Sequence, residues 1–168
     1  LAAIEPSALP RRIVLVSTTG VYGDCQGEWV NETRPLNPQT ARGRRRAHAE
    51  QLARRFGQQQ GIPVVALRVP GIYGPGKLPL ARLRSGTPVL APEFSPWSNR
   101  IHVNDLVTVC LAAARKVGPA PAYNVSDGHP TTMTDFFFQV ADAYGLPRPP
   151  AISWAAAERQ LSAEMRSY

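Results

Sequence analysis

Two short apolar runs with a helical repeat between them constrain this chain more than any other feature. Residues 13–16, Ile-Val-Leu-Val, form a continuous β-branched-rich stretch, and Val64–Val69 is a second run of the same kind. Strands buried on both faces of a parallel sheet read this way, whereas strands with one solvated face alternate. Between the runs, from about residue 40 to 56, Ala49, Leu52, Ala53 and Phe56 recur at the spacing i, i+3, i+4, i+7. That spacing predicts a helix with one apolar face. Gly57 and Gly61 are expected to close it, with Pro63 beyond. Strand, helix and strand make a βαβ unit, and a right-handed crossover lays both strands in one parallel sheet.

Downstream, residues 70–96 are dense in Gly and Pro, with a short helical turn expected near Leu80 to Leu83. Val103, Leu106, Val107, Cys110, Leu111 and Ala114 predict the apolar stripe of a second long helix. Residues 122–125 form a short strand candidate. Thr132 and Asp135 have capping-box-like spacing ahead of a third stripe, Met133, Phe136, Phe137, Val140, Ala141 and Tyr144. A last helix is expected over residues 155–165.

Composition narrows the class. With 168 residues, 43% hydrophobic and 18% charged, the chain can bury a core and is not of the disordered kind. No apolar run approaches the roughly 20 residues of a membrane helix, and residues 1–10 lack the pattern of a secretory signal. Cys25 and Cys110 suggest neither a disulfide framework nor a zinc site, so a cytoplasmic location is expected. The formal charge is +7, yet all but two of the 19 basic residues are Arg, spread along the chain. Arg42, Arg44, Arg45 and Arg46 cluster locally. They read first as a solvated helix face, then as an anion site, and last as a nucleic-acid surface.

Ligands in open parallel sheets bind outside the carboxyl ends of the strands. Here those ends carry Ser17-Thr18-Thr19-Gly20 and Pro70-Gly71-Ile72-Tyr73-Gly74-Pro75-Gly76, whose hydroxyls and glycines suit close approach of a ligand. No G-x-G-x-x-G follows a strand anywhere, so the loop that would hold a pyrophosphate is missing from this sequence. His102 with Asp105 is read as helix capping before acid/base chemistry, and His48 and His129 have no metal-ligand spacing. No metal site is expected.

Four segments in order resemble one family. Residues 14–24, VLVSTTGVYGD, are similar to the S-S/T-x-x-V-Y-G-D segment of extended short-chain dehydrogenases/reductases. LRVPGIYGPG (67–76) resembles their L-R-x-x-x-x-Y-G-P-G segment, RIHVNDL (100–106) their I-H-V-x-D helix start, and YNV (123–125) their Y-N-V strand. The likeness is nearest to the atypical, YeeZ-like branch of nucleoside-diphosphate-sugar epimerase-like proteins. It implies an α/β fold: the carboxyl-terminal part of a Rossmann-type parallel sheet plus a small mixed α/β substrate-binding lobe. It also implies that a glycine-rich half precedes the equivalent of Leu1. Residues 1–70 are expected to belong to the dinucleotide-binding domain, and 71–168 to lobe segments interleaved with returning Rossmann elements.

The resemblance also assigns roles. Thr18 falls at the catalytic Ser/Thr position, Arg42 at the catalytic Tyr and Arg46 at its Lys. Arg42 cannot serve as tyrosine does, because a guanidinium stays protonated near neutral pH. NAD or NADP is the implied cofactor of the full-length protein, facing Ser17, Thr18, Arg46, Val69, Pro70 and Gly71. A small molecule, a nucleotide sugar by resemblance, is expected to meet Thr19, Tyr22, Tyr73, Arg100 and His102. Either classical redox catalysis is lost, or Tyr22 or Tyr73 supplies a displaced acid/base, or the chain is a basic interaction module. A homodimer is an allowed assembly.

Overall fold

The computed structural model describes residues 4, 6–116 and 120–162. In chain order the elements are β1 (Ile13–Thr18), α1 (Ala41–Gln60), β2 (Val64–Val69), β3 (Gly71–Tyr73), α2 (Leu80–Arg84) and β4 (Val89–Leu90). There follow β5 (Trp97–Ser98), β6 (Arg100–His102), α3 (Val103–Arg115), β7 (Ala122–Asn124), β8 (Thr131–Thr132), α4 (Met133–Ala143), β9 (Ala151–Ile152) and α5 (Trp154–Gln160). The described residues divide into two compact units, one within 1–72 and 101–127, the other within 73–100 and 128–168.

The first unit is built on a parallel sheet in the order β1-β2-β7. The βαβ reading of the sequence is thus observed. β1 pairs with β2 from Ile13 opposite Val64 to Thr18 opposite Val69, so the two strands end level. The next row in, Ser17, Arg68 and Asn124, runs across all three strands. In a parallel sheet such a row shares one face. On the other face, Leu67 and Val69 pack with Ile101, Leu106 and Val125 in a core completed by Val65, Val109, Cys110 and Ala113.

α1 departs from its expected face. Its buried residues are Gly43, Ala47, Glu50, Ala53 and Gly57, whereas Leu52 is 46% exposed. The helix lies too close to its neighbours for large side chains. A Cβ on Gly57 would stand 2.4 Å from Val64 Cγ2 and 2.5 Å from the Ile62 carbonyl oxygen. Gly57 therefore does not end the helix; Gly61 does, in the left-handed conformation (φ 67°), its N–H donating to the Gly57 carbonyl. α3 is rotated as well. Leu106, Val109, Cys110 and Ala113 face the core, while Val107 and Leu111 are about half exposed.

The second unit is a small mixed α/β assembly. β4 pairs with β9 in parallel and β5 with β8 antiparallel. α4 buries Phe137, Val140 and Ala141 against Leu83 and Val89. Its N-cap is Thr132, whose hydroxyl accepts from the Asp135 N–H at 3.1 Å and donates to the Asp135 carboxylate at 2.7 Å. Buried Thr134 donates its hydroxyl to the Leu90 carbonyl at 2.6 Å, tying α4 to β4. α5 seats Ala157 beside Leu90 and Leu161. It ends at Gln160, short of the expected 165; residues 163–168 lie outside the described residues.

Candidate functional site at the strand ends

β1 ends in a tight turn. Thr18 is extended, and its hydroxyl accepts from the Gly20 N–H at 3.2 Å, capping a single 3-10 turn over Thr19–Val21. α1 begins beside this turn: Thr40 caps it by accepting from the Gly43 N–H at 3.0 Å. Gly43 is needed there, since a Cβ would stand 2.8 Å from the Gly20 carbonyl oxygen. Sequence positions 20 and 43 are thus brought against each other, with Arg42 adjoining. Arg42 and Arg46 are exposed and one helical turn apart. Arg46 Nη1 lies 3.4 Å from the Val16 carbonyl oxygen, at the end of β1.

The same α1 face reaches into the sheet through Glu50, which is 1% exposed. Its carboxylate accepts from the Ser17 hydroxyl at 2.5 Å and from the Arg68 guanidinium at 3.3 Å (Nε) and 3.0 Å (Nη2). Arg68 Nη1 also donates to the Tyr22 hydroxyl at 2.7 Å and to the Glu32 carbonyl at 3.1 Å, with the guanidinium 4.9 Å from the Tyr22 ring centroid. Burial alone would lower the pKa of Arg68, but its hydrogen bonds to Glu50 and Tyr22 outweigh this and raise it.

The direction of the remaining bonds is fixed by Asn124. Its Nδ2 donates to the Val30 carbonyl at 2.9 Å, so its Oδ1, 2.7 Å from the Tyr22 hydroxyl, must accept. The Tyr22 proton therefore points to Asn124 and its lone pair to Arg68. Tyr22 is 5% exposed, its hydroxyl held between Arg68 and Asn124. Glu32 closes the circuit by accepting the Asn124 N–H at 2.8 Å.

The structure thus brings together Ser17, Thr18 and Thr19 with Val69, next to Pro70 and Gly71, and sets the Arg42–Arg46 turn against the same loop. His102 is the N-cap of α3, its Nδ1 accepting from the Asn104 N–H at 3.3 Å. Tyr73 and Arg100 belong to the second unit. Tyr73 meets Phe136 edge-on at 6.5 Å, and buried Arg100 lies 3.8 Å from the Phe136 centroid with Nη1 2.7 Å from Thr131 Oγ1. Sequence reasoning missed the roles of Glu50, Arg68, Asn124 and Glu32. The available signals were a lone arginine inside the apolar run of β2 and a glutamate among small residues on α1.

A cavity of about 420 Å³ lies between β2 and α3, lined by Val64, Val65, Leu67, Val109, Ala113 and Tyr123 among others. Its lining runs from Arg12 and Pro63, before β2, to Val125 and Ser126, after β7. Among the described residues no group of His, Cys, Asp or Glu could hold a metal ion, and no helix is long and apolar enough to cross a membrane.

These features have counterparts in known proteins. Protein YeeZ of Escherichia coli K12 is 34% identical over 139 residues, covering 82% of this chain and 48% of that protein. The chain spans about half the length of the curated relative it matches. A functionally unknown conserved protein from Silicibacter pomeroyi superposes with a TM-score of 0.80 at 38% identity, covering 94% of this chain and 54% of the other. MoeE5, solved in complex with UDP-glucose and NAD, superposes at 0.72 with 26% identity, covering 86% and 52%. The fold is the Rossmann type of these epimerase-like structures. The model of the NAD dependent epimerase/dehydratase family matches residues 1–126, all four motif segments and α1 included, and this chain belongs to that family.

Proposed function

We propose that this chain supplies the nicotinamide-facing part of a dinucleotide site in an epimerase/dehydratase-like protein of nucleotide-sugar metabolism, and that it lacks classical tyrosine-dependent redox catalysis. The observation that carries the reading is the level pairing of Thr18 with Val69 at the strand ends, beside the exposed turn of α1 that carries Arg42, the residue the family resemblance puts at the tyrosine position.

The residues present fit one part of NAD or NADP. Thr18, Val69, Pro70 and Gly71 would line the nicotinamide end, with buried Ser17 holding the end of β1. Arg46, already at the Val16 carbonyl, would hold a ribose hydroxyl or phosphate. NAD or NADP, when bound, supplies the acceptor or donor of hydride. Thr18 could hold a substrate hydroxyl or carbonyl by hydrogen bonding, but Arg42 cannot remove a proton from it. The second unit (73–100 and 128–168) serves as the substrate-side lobe, with Tyr73 and Arg100 the residues to test there, and Thr19 and His102 those to test on the first unit. A nucleotide sugar is the substrate class, in keeping with the UDP-glucose held by MoeE5. A cytoplasmic setting belongs to the same reading.

Saturation-transfer NMR with nicotinamide mononucleotide, which needs no pyrophosphate loop, tests the binding part. Transfer to the nicotinamide ring is expected with the wild-type chain and should fall severalfold in Arg46→Gln. No transfer at all would sink this part. NAD-dependent interconversion of UDP-glucose and UDP-galactose that survives Thr18→Ala would overturn the rest.

A further inference from the structure

We propose that Glu32, Asn124, Tyr22, Arg68, Glu50 and Ser17, the last four buried, act as one clasp through which the loop over residues 23–37 positions Thr18, with Glu32 and Glu50 as the positioning residues at its two ends. The clasp concerns the same strand-end site as the proposed function and draws its importance from that reading. Its geometry stands on the free protein alone.

Three observations converge on it. The row Ser17, Arg68 and Asn124 crosses the sheet one residue short of the ends of β1 and β2 and at the last residue of β7, so whatever fixes that row fixes the start of the loops beyond it. Each link is a hydrogen bond of 3.3 Å or less at its shorter contact, and the bond directions are mutually consistent from Ser17 through to the Val30 carbonyl. Finally, Arg68 is shared between the two ends: Nη1 holds the Glu32 carbonyl and the Tyr22 hydroxyl, while Nε and Nη2 hold Glu50.

Burial makes these links interdependent. The Arg68 side chain is 3% exposed and that of Glu50 is 1% exposed, so water cannot replace a lost partner. If the loop withdraws at Glu32, Arg68 loses an acceptor and must reorganise against Glu50. Glu50 in turn holds Ser17, the residue bonded directly to Thr18. A partly satisfied buried network is costly, so such networks rearrange as units. The loop has its own hold on the turn as well, the Asn37 N–H donating to the Val21 carbonyl at 3.0 Å.

The test cuts the Glu32 carboxylate's hold on the Asn124 N–H, leaves the Glu32 main-chain carbonyl at Arg68 in place, and reads the far end of the clasp in the ligand-free chain, so that failure of nicotinamide binding cannot mask the result. Amide hydrogen exchange and chemical shifts are followed by NMR in Glu32→Ala and Glu32→Gln. In Glu32→Ala, exchange at residues 17–20 should rise by about fivefold or more, the size of an ordinary coupling between networked residues. The Thr18 amide should also move, and Glu32→Gln, which keeps an acceptor, should restore most of the wild-type pattern. Changes confined to residues 28–36 and 122–125 would overturn the clasp. A second measurement crosses Glu32→Ala with Tyr22→Phe, which keeps the ring over Arg68. Non-additive shifts in denaturation midpoint are expected, and strictly additive shifts would contradict the proposal.

Discussion

At the scale of single residues, the chain depends on groups that are small or buried where a larger or unpaired one would fail. Gly43 leaves 2.8 Å between the Gly20 carbonyl and the place of a Cβ. Gly43→Ala should therefore lower stability by about 1–3 kcal/mol, the usual range for overpacking, and should shift the Thr18 amide in NMR spectra. Arg68→Met leaves the Glu50 carboxylate buried without its main partner. It should cost about 3–5 kcal/mol in urea denaturation, and much of that should return in Arg68→Met/Glu50→Gln. Thr18 was legible as the end of β1 because it follows an apolar run inside a recognisable motif. The partner of Arg68 was not, because an arginine within Val-Val-Ala-Leu-Arg-Val is conspicuous but does not say which carboxylate of another element faces it.

At the scale of elements, the existence of β1, β2, β7 and the helices was legible, their facing was not, and the two- and three-residue strands β3–β6, β8 and β9 were not read because so short a pairing leaves no periodicity. The long strands and α1 were evident because apolar runs and a glycine stop are local properties of the sequence. The face of α1 was not, since the sheet selected Gly43, Ala47, Ala53 and Gly57 for closeness over Leu52 for hydrophobicity. Two substitutions separate these accounts. Leu52→Gln should change stability by no more than about 0.5 kcal/mol, as at ordinary surface positions. Ala53→Leu, at a site 4% exposed, should cost about 1–3 kcal/mol through overpacking. α3 repeats the lesson: Leu106→Ala should cost about 2–5 kcal/mol, while Leu111→Gln should be nearly silent in thermal denaturation.

For the whole molecule, the governing facts are a three-stranded parallel sheet with β1 at one edge and a span of about half the length of YeeZ. Among the described residues β1 pairs on one side only, and its Val16 is 41% exposed. The carboxyl ends of β1 and β2 remain the place where family membership, strand register and the exposed Arg42–Arg46 turn meet. The most direct measurement is a titration of the ¹⁵N-labelled chain with nicotinamide mononucleotide. Shifts centred on Thr18, Thr19, Gly71 and the Arg46 side chain, saturating in about the millimolar range expected of a few weak contacts, are the predicted result. Shifts absent from residues 17–20, or centred instead on Val65, Val109 and Ala113 in the cavity between β2 and α3, would contradict it.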